Sequence, residues 1–271
     1  MAENGRAVER HYTGEQLAER ILKAAAAAGV SPITPAGLAP ADEFHTGGLR
    51  STRQLAQLAA IRPETHVLDI GSGIGGPARI LASEFGCRVT GIDLTAEFVR
   101  SATVLTERCG LADRITFHEC DALKMPFANG SFDIAWTQHV VMNIKDRLGL
   151  YREARRVLKP GGALVFFDIL RGSGGELEYP LPWANDASIS FLYTPAETQA
   201  FLKEAGFEQQ VWNDVSAEYT AVIAGQAAAQ TASPLNLRVV MGDEMPEKIR
   251  RVGAAGADGR LVYIQGVFRR P

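Results

Sequence analysis

The sequence VLDIGSGIGGP occupies residues 67–77 and joins a short apolar run to a turn rich in glycine. Glycine is favoured where the backbone bends tightly and comes close to a ligand, and proline at position 77 suits the first turn of a helix. Gly71, Gly73 and Gly76 therefore predict a strand, a tight turn and a helix in succession. Such a turn at the carboxyl end of a strand is typical of nucleotide sites in α/β folds.

Short apolar runs alternate with helical patterns on both sides of this turn. The runs predicted to be strands are His66–Ile70, Arg88–Asp93, Ile115–Glu119, residues 132–137, residues 163–170, Glu208–Asp214 and Leu261–Arg269. Alternation of this kind predicts an α/β fold with a doubly wound, seven-stranded, mostly parallel sheet covered by helices on both faces. The Lys-Pro-Gly-Gly sequence at residues 159–162 predicts a turn before the fifth strand.

The segments outside this pattern predict appendages on one large domain. Helical spacing over residues 15–29 and 46–61, with a proline-rich loop at 30–40 between them, predicts that residues 1–65 form an N-terminal helical lid. Residues 66–271 are expected to form the nucleotide-binding domain. Within it, segments near 171–190 and 217–251 are expected to cap the site, because the first is rich in glycine and proline and lacks periodicity.

Composition favours a soluble enzyme that acts on small molecules. The 28 Lys and Arg residues against 31 Asp and Glu residues give a net charge of −3, which does not suit a nucleic-acid backbone. Cys87, Cys109 and Cys120 have neither even parity nor CxxC spacing. With no apolar run long enough to span a membrane, a cytoplasmic protein is predicted.

Two acidic residues beside the glycine turn distinguish between nucleotide cofactors. Asp69 lies two residues before Gly71, and Asp93 ends the second predicted strand near the spacing at which an acid meets a ribose diol. A pyrophosphate is poorly matched to an acid placed just before the glycines. S-adenosylmethionine carries an ammonium and a sulfonium but no phosphate. Asp69 therefore favours this cofactor over a nicotinamide dinucleotide.

On these residues the sequence resembles the class I S-adenosylmethionine-dependent methyltransferases, which place an acid and then Gly-x-Gly-x-Gly after the first strand. The resemblance extends to Asp121 and Ala122, to FDIAW at residues 132–136 and to LKPGG at residues 158–162. It implies a Rossmann-like methyltransferase fold that uses S-adenosyl-L-methionine and releases S-adenosyl-L-homocysteine.

A narrower resemblance links the chain to the sarcosine/dimethylglycine-type small-molecule methyltransferases. It rests on DEFHTGG at residues 42–48 and IGGPAR at residues 74–79. This resemblance implies methyl transfer to a small-molecule acceptor, with an amine favoured and an oxygen or carbon acceptor left open.

The broader resemblance also implies roles for individual residues. Asp69, Ser72 and Gln138 would face the methionyl part, and Asp93 would accept from the ribose hydroxyls. Backbone at Gly71 and Gly73 would border the methionine and ribose. The residues expected around the adenine are Asp121, Ala122, Leu94 and Leu123.

His139, just beyond the fourth strand, is the first candidate for a catalytic residue. A base is optional in methyl transfer because the sulfonium already supplies a good leaving group. His139 is expected either to deprotonate the acceptor or to orient it. Residues expected in the lid or substrate site are Tyr12, His45, Asn143 and Trp183. The histidines lack metal-ligand spacing, so no metal is predicted.

Three alternatives remain open at this point. They are a nicotinamide-dependent oxidoreductase, disfavoured by Asp69, an RNA methyltransferase, disfavoured by the charge balance, and a non-catalytic protein that binds S-adenosylmethionine. The sequence leaves the choice between monomer and homodimer open.

Overall fold

A computed structural model describes residues 16–229 and 233–271. Its central feature is one seven-stranded sheet with the strand order β3-β2-β1-β4-β5-β7-β6. The strands are β1 His66–Ile70, β2 Arg88–Asp93, β3 Ile115–Glu119, β4 Phe132–Gln138, β5 Leu158–Arg171, β6 Glu208–Asp214 and β7 Leu261–Arg269. The first five strands run parallel, and β7 pairs antiparallel with both β5 and β6. The predicted seven-stranded, mostly parallel sheet is confirmed.

The order of the strands determines where a ligand crevice opens. Strand β1 lies between β2 and β4, so the connections after β1 and β4 leave the sheet in opposite directions. Ligands of open α/β sheets bind at such a switch point, beyond the carboxyl ends of the strands. The glycine turn at residues 71–76 follows β1 directly, which places it at this edge.

One predicted turn is part of a strand. Strand β5 begins at Leu158, not at residue 163, and pairing with β4 passes from Phe132 opposite Leu158 to Ile134 opposite Ala163. Residues 159–162 are therefore an irregular bulge within the strand. The N–H of Gly161 donates to the Arg270 carbonyl at 2.8 Å, and the Arg270 N–H donates to the Gly162 carbonyl at 2.8 Å. These bonds to the chain's end provide the strand pairing that local sequence does not reveal.

The helices cover both faces of the sheet. They are α1 Leu17–Ala27, α2 Pro35–Asp42, α3 Gly48–Leu58, α4 Gly76–Phe85, α5 Ala96–Arg108, α6 Arg147–Val157, α7 Pro195–Glu204, α8 Ser216–Ala229, α9 Arg238–Met241 and α10 Met245–Ala257. Short 3₁₀ turns lie at Val141–Asn143 and Ala187–Ile189.

Helix α2 occupies residues that the sequence predicted to be a loop. The Thr34 side chain accepts from the Gly37 N–H, and Pro35 stands at the first helical position. This capped start stabilises a helix in a segment whose prolines had predicted a loop. Helix α7 also has a capped start: Thr194 and Glu197 form both hydrogen bonds of a capping box.

Alternate strand residues supply two hydrophobic layers. Val67, Trp136 and Phe167 belong to one layer, whereas Leu68 and Phe166 belong to the other. A third cluster joins the N-terminal helices to α5 and the glycine turn; its members include Leu17, Ile21, Leu38, Ile74 and Leu105. Each fully buried leucine or isoleucine contributes about 1.5–3 kcal/mol of transfer free energy. The N-terminal helices are thus packed onto the core beside the crevice.

Candidate active site

A cavity of about 670 Å³ opens at the carboxyl edge of β1, β2 and β4. Its lining includes the predicted residues His45, Gly71, Ser72, Gly73, Asp93, Leu94, Asp121, Ala122, Leu123, Gln138, His139, Asn143 and Trp183. Of the remaining predicted residues, Asp69 is buried beside the cavity without lining it. Tyr12 lies outside the described residues.

The glycine turn uses its own amides to hold its shape. The N–H groups of Gly71 and Ser72 both donate to the Ile92 carbonyl, at 2.8 and 2.9 Å, and the Gly75 N–H donates to the Ser72 carbonyl at 2.9 Å. Gly71 has φ +71, and a Cβ there would overlap the Val140 side chain. With its amides engaged inside the chain, the turn differs from the phosphate cradles of nucleotide-binding loops.

Asp93 ties the glycine turn to the end of β2. Its Oδ2 accepts from the Gly73 N–H at 2.9 Å, and its Oδ1 accepts from the Thr95 N–H at 2.9 Å. Burial raises the pKa of Asp93, and these backbone donors act against the increase. Each carboxylate oxygen can accept a second hydrogen bond, so Asp93 is able to receive a pair of hydroxyl donors from the cavity.

Asp69 is a buried acid, and one of its carboxyl oxygens has no hydrogen-bond partner in the described part of the chain. Burial, followed by the charges of Glu43 and Asp93, raises the pKa of Asp69 to about 8. The oxygen without a partner in the described chain is Oδ2. A cation brought near this carboxyl would stabilise its ionised form.

The orientation of the Gln138 amide is determined by its neighbours. Its Oε1 accepts from Trp136 Nε1–H at 3.0 Å, and the Thr52 hydroxyl lies 3.3 Å away. Because an indole nitrogen only donates, the amide oxygen must face Trp136. The Nε2 group is left without a partner in the described part of the chain, and Gln138 lines the cavity. Gln138 therefore presents a donor to a ligand.

Residues 42–48, here called the strap, cross over the glycine turn. A buried ion pair joins Asp42 to Arg79 at 2.6 Å, and a Cβ at Gly76 would overlap the Asp42 carbonyl oxygen. Burial raises the pKa of Asp42 to about 6, with the Arg79 charge opposing the increase. Phe44 lies beside Gly73, where an added Cβ would be 3.1 Å from its ring. The strap thus forms one wall of the cavity.

The strap also contains a hydrogen-bonded network around the predicted residue His45. Its Nε2 lies 2.6 Å from Glu43 Oε2, and its Nδ1 lies 2.9 Å from the Ser51 hydroxyl. The Thr52 hydroxyl donates to Glu43 Oε2 at 2.7 Å. Sequence reasoning noted the DEFHTGG motif but assigned a role only to His45. The acids at positions 42 and 43 were the available signal for the rest.

His139 adopts a left-handed backbone conformation with φ 52, which is uncommon outside glycine. The Thr46 N–H donates to its Nδ1 at 3.3 Å. Burial, with a smaller contribution from His45, holds the pKa of His139 well below its usual range. A neutral imidazole that accepts at Nδ1 carries its proton on Nε2. This Nε2 lacks a hydrogen-bond partner in the described chain, so His139 offers a donor to the cavity it lines.

Asn143 and Trp183 attach the segment 171–190 to the site. Asn143 Nδ2 donates to the carbonyls of Trp183 and Ile189 at 2.9 and 2.8 Å. Trp183 Nε1–H donates to the Ser190 hydroxyl at 2.9 Å. The Trp183 ring is buried and lines the cavity. These hydrogen bonds hold the segment in place, and its Pro182 and Trp183 contribute to the cavity wall.

Sequence reasoning missed the apolar wall that faces Trp183. It includes Ile223 from α8 and Met245, Ile249 and Val252 from α10. Helical spacing of positions 245, 249 and 252 was a usable signal, since residues four and three apart share a face. The prediction of a cap near 217–251 did not name these side chains.

Within residues 16–229 and 233–271, no group of three or more His, Cys, Asp or Glu side chains is placed to hold a metal ion. Over the same ranges, none of the helices has the length and apolar character needed to cross a bilayer.

Residues 68–166 match a family model described as a methyltransferase domain. Over these residues the chain is similar to methyltransferase domains. This match confirms the family resemblance inferred from the glycine turn and its flanking acids. The matched range runs from β1 into β5 and includes Asp69, Asp93, Asp121 and His139.

Curated relatives are similar over part of their length. The 27-O-demethylrifamycin SV methyltransferase of Amycolatopsis mediterranei (strain S699) is 33% identical over 174 residues, covering 63% of this chain and 64% of that protein. The glycine/sarcosine/dimethylglycine N-methyltransferase of Actinopolyspora halophila is 28% identical over 229 residues, covering 83% of this chain and 40% of that protein. The matches thus span less than two thirds of either relative.

A solved structure matches the whole architecture. Geranyl diphosphate C-methyltransferase from Streptomyces coelicolor A3(2), in complex with Mg²⁺, geranyl-S-thiolodiphosphate and S-adenosyl-L-homocysteine, superposes with a TM-score of 0.73. The match covers 100% of this chain and 99% of that chain at 18% sequence identity. At this identity the likeness establishes the fold, which confirms the Rossmann-like methyltransferase architecture. The names of the three similar proteins span O-, N- and C-methyl transfer.

Proposed function

We propose that this protein transfers the methyl group of S-adenosyl-L-methionine to a small-molecule acceptor and releases S-adenosyl-L-homocysteine. The observation that carries the proposal is the state of the glycine turn. The amides of Gly71, Ser72 and Gly73 are bonded within the chain, and the carboxyls of Asp69 and Asp93 are close by. This arrangement suits a cationic ligand and offers little to a pyrophosphate.

The unpartnered polar atoms fit the amino-acid end of the cofactor. Gln138 Nε2 is a donor suited to the carboxylate, and Asp69 Oδ2 and the Ser72 hydroxyl are buried without described partners. The Asp69 carboxyl lies behind the cavity wall, so we assign it an electrostatic role toward the ammonium. A donor at Gln138 and an acid at Asp69 suit a ligand end that carries both a carboxylate and an ammonium better than an end that carries only one of them.

The ribose and adenine of the cofactor would lie against the ends of the strands. Asp93 would accept from the ribose hydroxyls with its remaining lone pairs. Asp121, Ala122, Leu94 and Leu123 would surround the adenine, as all four line the same cavity. The Asp121 side chain already accepts from the Leu123 N–H at 2.9 Å, which orders this loop.

The bound cofactor would supply an electrophilic methyl group on a sulfonium, a good leaving group. The protein's contribution is then alignment of the acceptor and exclusion of water. His139 would orient the acceptor through Nε2–H. We assign residues 1–65 as the lid and segments 171–190 and 217–251 as caps, because the strap, Trp183 and α10 enclose the cavity. Catalysis by alignment needs such an enclosure.

We place this activity in the cytoplasm. Cys87, Cys109 and Cys120 are free thiols, which is usual in a reducing compartment. The proposal includes no nucleic-acid or membrane partner, since the net charge is −3 and the polar groups of the site face the cavity.

Calorimetry on the purified chain tests the cofactor assignment. S-adenosyl-L-methionine and S-adenosyl-L-homocysteine are expected to bind with micromolar affinity, whereas reduced nicotinamide dinucleotide is expected not to bind. Binding of the dinucleotide in place of both sulfur compounds would contradict the proposal. Release of S-adenosyl-L-homocysteine during turnover with an acceptor panel separates an enzyme from a protein that only binds the cofactor.

A further inference from the structure

The part of the cavity beyond His139 has an apolar wall. We call it the acceptor chamber and define it by Met142, Trp183, Ile223, Met245, Ile249 and Val252. All six side chains belong to one hydrophobic cluster and are buried, with exposures of 7% or less. Apolar surface of this kind is favourable for hydrocarbon and unfavourable for an unpaired charge.

The acids that line the cavity are engaged or lie elsewhere, and the one lysine in the lining, Lys145, is exposed and lies outside the six residues of the acceptor chamber. Asp42 is paired with Arg79, and Asp93 accepts from two backbone amides. Asp121 belongs to the loop after β3, and Asp146 caps α6 by accepting from the Gly149 N–H. None of these carboxylates belongs to the acceptor chamber. A cationic amine seated there would meet no counter-ion among the described residues that define it.

His139 adds one polar requirement to this apolar wall. Its Nδ1 accepts from the Thr46 N–H, and its Nε2 carries the proton. Because Nε2 already carries a proton, it can donate a hydrogen bond but can neither accept one nor act as a base. It therefore favours an acceptor atom with a lone pair to spare, such as an oxygen. It disfavours an ammonium, which has only donors, and a neutral amine, whose single lone pair would be used by this hydrogen bond and not be free to attack the methyl group.

We propose that the methyl acceptor is an uncharged, mostly hydrocarbon molecule that presents the oxygen of a phenol or enol to Nε2–H of His139. This proposal rests on the function proposed above and specifies its substrate class. The resemblance based on DEFHTGG favoured an amine acceptor, whereas this proposal names an oxygen acceptor. His139 is assigned as a hydrogen-bond donor to that oxygen, not as a base.

The chemistry balances without a further reactant. The acceptor O–H loses its proton to bulk water as the acceptor enters the cavity, and the resulting oxyanion is stabilised by Nε2–H of His139. The oxygen then forms a bond to the methyl carbon as the carbon–sulfur bond breaks, and that electron pair stays on sulfur. The products are a methyl ether, neutral S-adenosyl-L-homocysteine and one proton released to solvent.

Matched probes test the acceptor class on the full chain loaded with S-adenosyl-L-homocysteine. The probes are 4-octylphenol, 4-octylbenzylamine and 4-octylbenzoate, which share a hydrocarbon part and differ in charge. Calorimetry is expected to show 4-octylphenol binding at least about tenfold more tightly than either charged probe, because an unpaired charge is costly in an apolar chamber. Tighter binding of the ammonium or the carboxylate, or no binding of the phenol, would overturn the proposal.

A matched pair of variants tests the role of His139. Asn and Asp both tolerate a left-handed backbone, but only an Asn side chain keeps an N–H donor. With S-adenosyl-L-methionine and 4-octylphenol, His139→Asn is expected to keep activity within about tenfold, whereas His139→Asp should lose about a hundredfold. The donor assignment fails if His139→Asp is the more active variant, as it would be if a base were needed.

Binding of S-adenosyl-L-homocysteine separates the two levels of proposal. If S-adenosyl-L-homocysteine binds to the unmodified chain but a charged probe then binds more tightly than 4-octylphenol, the acceptor class is wrong and the cofactor assignment stands. If it does not bind, the proposed function itself fails. The same measurement on His139→Asn and His139→Asp reports whether each variant is folded, since His139 is assigned to the acceptor and not to the cofactor.

Discussion

The cofactor half of the cavity and the acceptor chamber are built from different kinds of sequence. The first consists of strand ends and turns between Asp69 and His139, held by hydrogen bonds between neighbouring segments. The second brings Met142 together with Trp183, Ile223 and Ile249, which are far apart in the chain and meet only through packing. Polar geometry in one half and apolar shape in the other suit a constant cofactor and a variable acceptor.

Asp93→Ala is expected to have the largest effect on the cofactor half. The change removes the carboxylate proposed to receive two ribose hydroxyls and also releases the Gly73 and Thr95 amides. Because hydrogen bonds to charged groups are worth about 1.5–3 kcal/mol each, the Kd for S-adenosyl-L-homocysteine should rise at least about a hundredfold. Calorimetry measures this, with Asp113→Ala, at an exposed site, as the control. Equal affinities for the two variants would remove Asp93 from the site.

Ile249→Asp should break the acceptor half and spare the cofactor half. Ile249 is 7% exposed and lines the chamber, so a carboxylate there would meet apolar neighbours. We expect kcat/KM for an apolar acceptor to fall at least about thirtyfold, through the cost of burying an unpaired charge or of excluding the acceptor. The Kd for S-adenosyl-L-homocysteine should stay within about twofold, since Ile249 is assigned to the acceptor chamber and not to the cofactor half. Ile249→Leu is the matched control, and a parallel loss of cofactor affinity in Ile249→Asp would mean that the two halves are not separable.

The pH dependence of cofactor binding tests the charge of the cofactor half. In the free protein the pKa of Asp69 is about 8, raised first by burial, so the carboxyl is protonated at neutral pH. An ammonium nearby favours the ionised form, so binding releases a proton and tightens as pH rises toward that pKa. Affinity for S-adenosyl-L-methionine should therefore increase between about pH 6 and 7.5, by at most about tenfold per pH unit.

Calorimetry in buffers of different ionisation enthalpy measures the released proton directly. Asp69→Asn is expected to abolish both the proton release and the pH dependence. The same raised pKa lowers the stability of the free protein as pH rises from about 4 toward 8, because the folded state holds a proton that the unfolded state has lost. A pH-independent affinity in the unmodified protein would show that Asp69 does not interact with the ammonium.

The same contrast explains what the sequence could predict. Apart from the start of β5, the strand bounds followed from apolar runs, and Asp69 and Asp93 were singled out by their positions beside the glycines, which are local signals. Asp121 was singled out by the family resemblance. The Thr46 amide that sets the tautomer of His139 lies 93 residues away from it in sequence, and Thr52 lies 86 residues from Gln138. No periodicity encodes such pairs, because they depend on how the strap packs across the glycine turn.

The smallest expected effect concerns how firmly the chamber wall is held. Ser190 accepts from Trp183 Nε1–H at 2.9 Å, so Ser190→Ala removes one hydrogen bond from a buried indole. Such a bond is worth about 0.5–1.5 kcal/mol, which predicts a rise in the acceptor KM of a few-fold with kcat little changed. Ser188→Ala, on the neighbouring turn, is the control, because Ser188 is exposed and its hydrogen bonds are to Asp186. If Ser190→Ala instead weakened cofactor binding and left the acceptor KM unchanged, the Trp183 ring would belong to the cofactor half of the cavity, and the boundary between the halves would have to be moved.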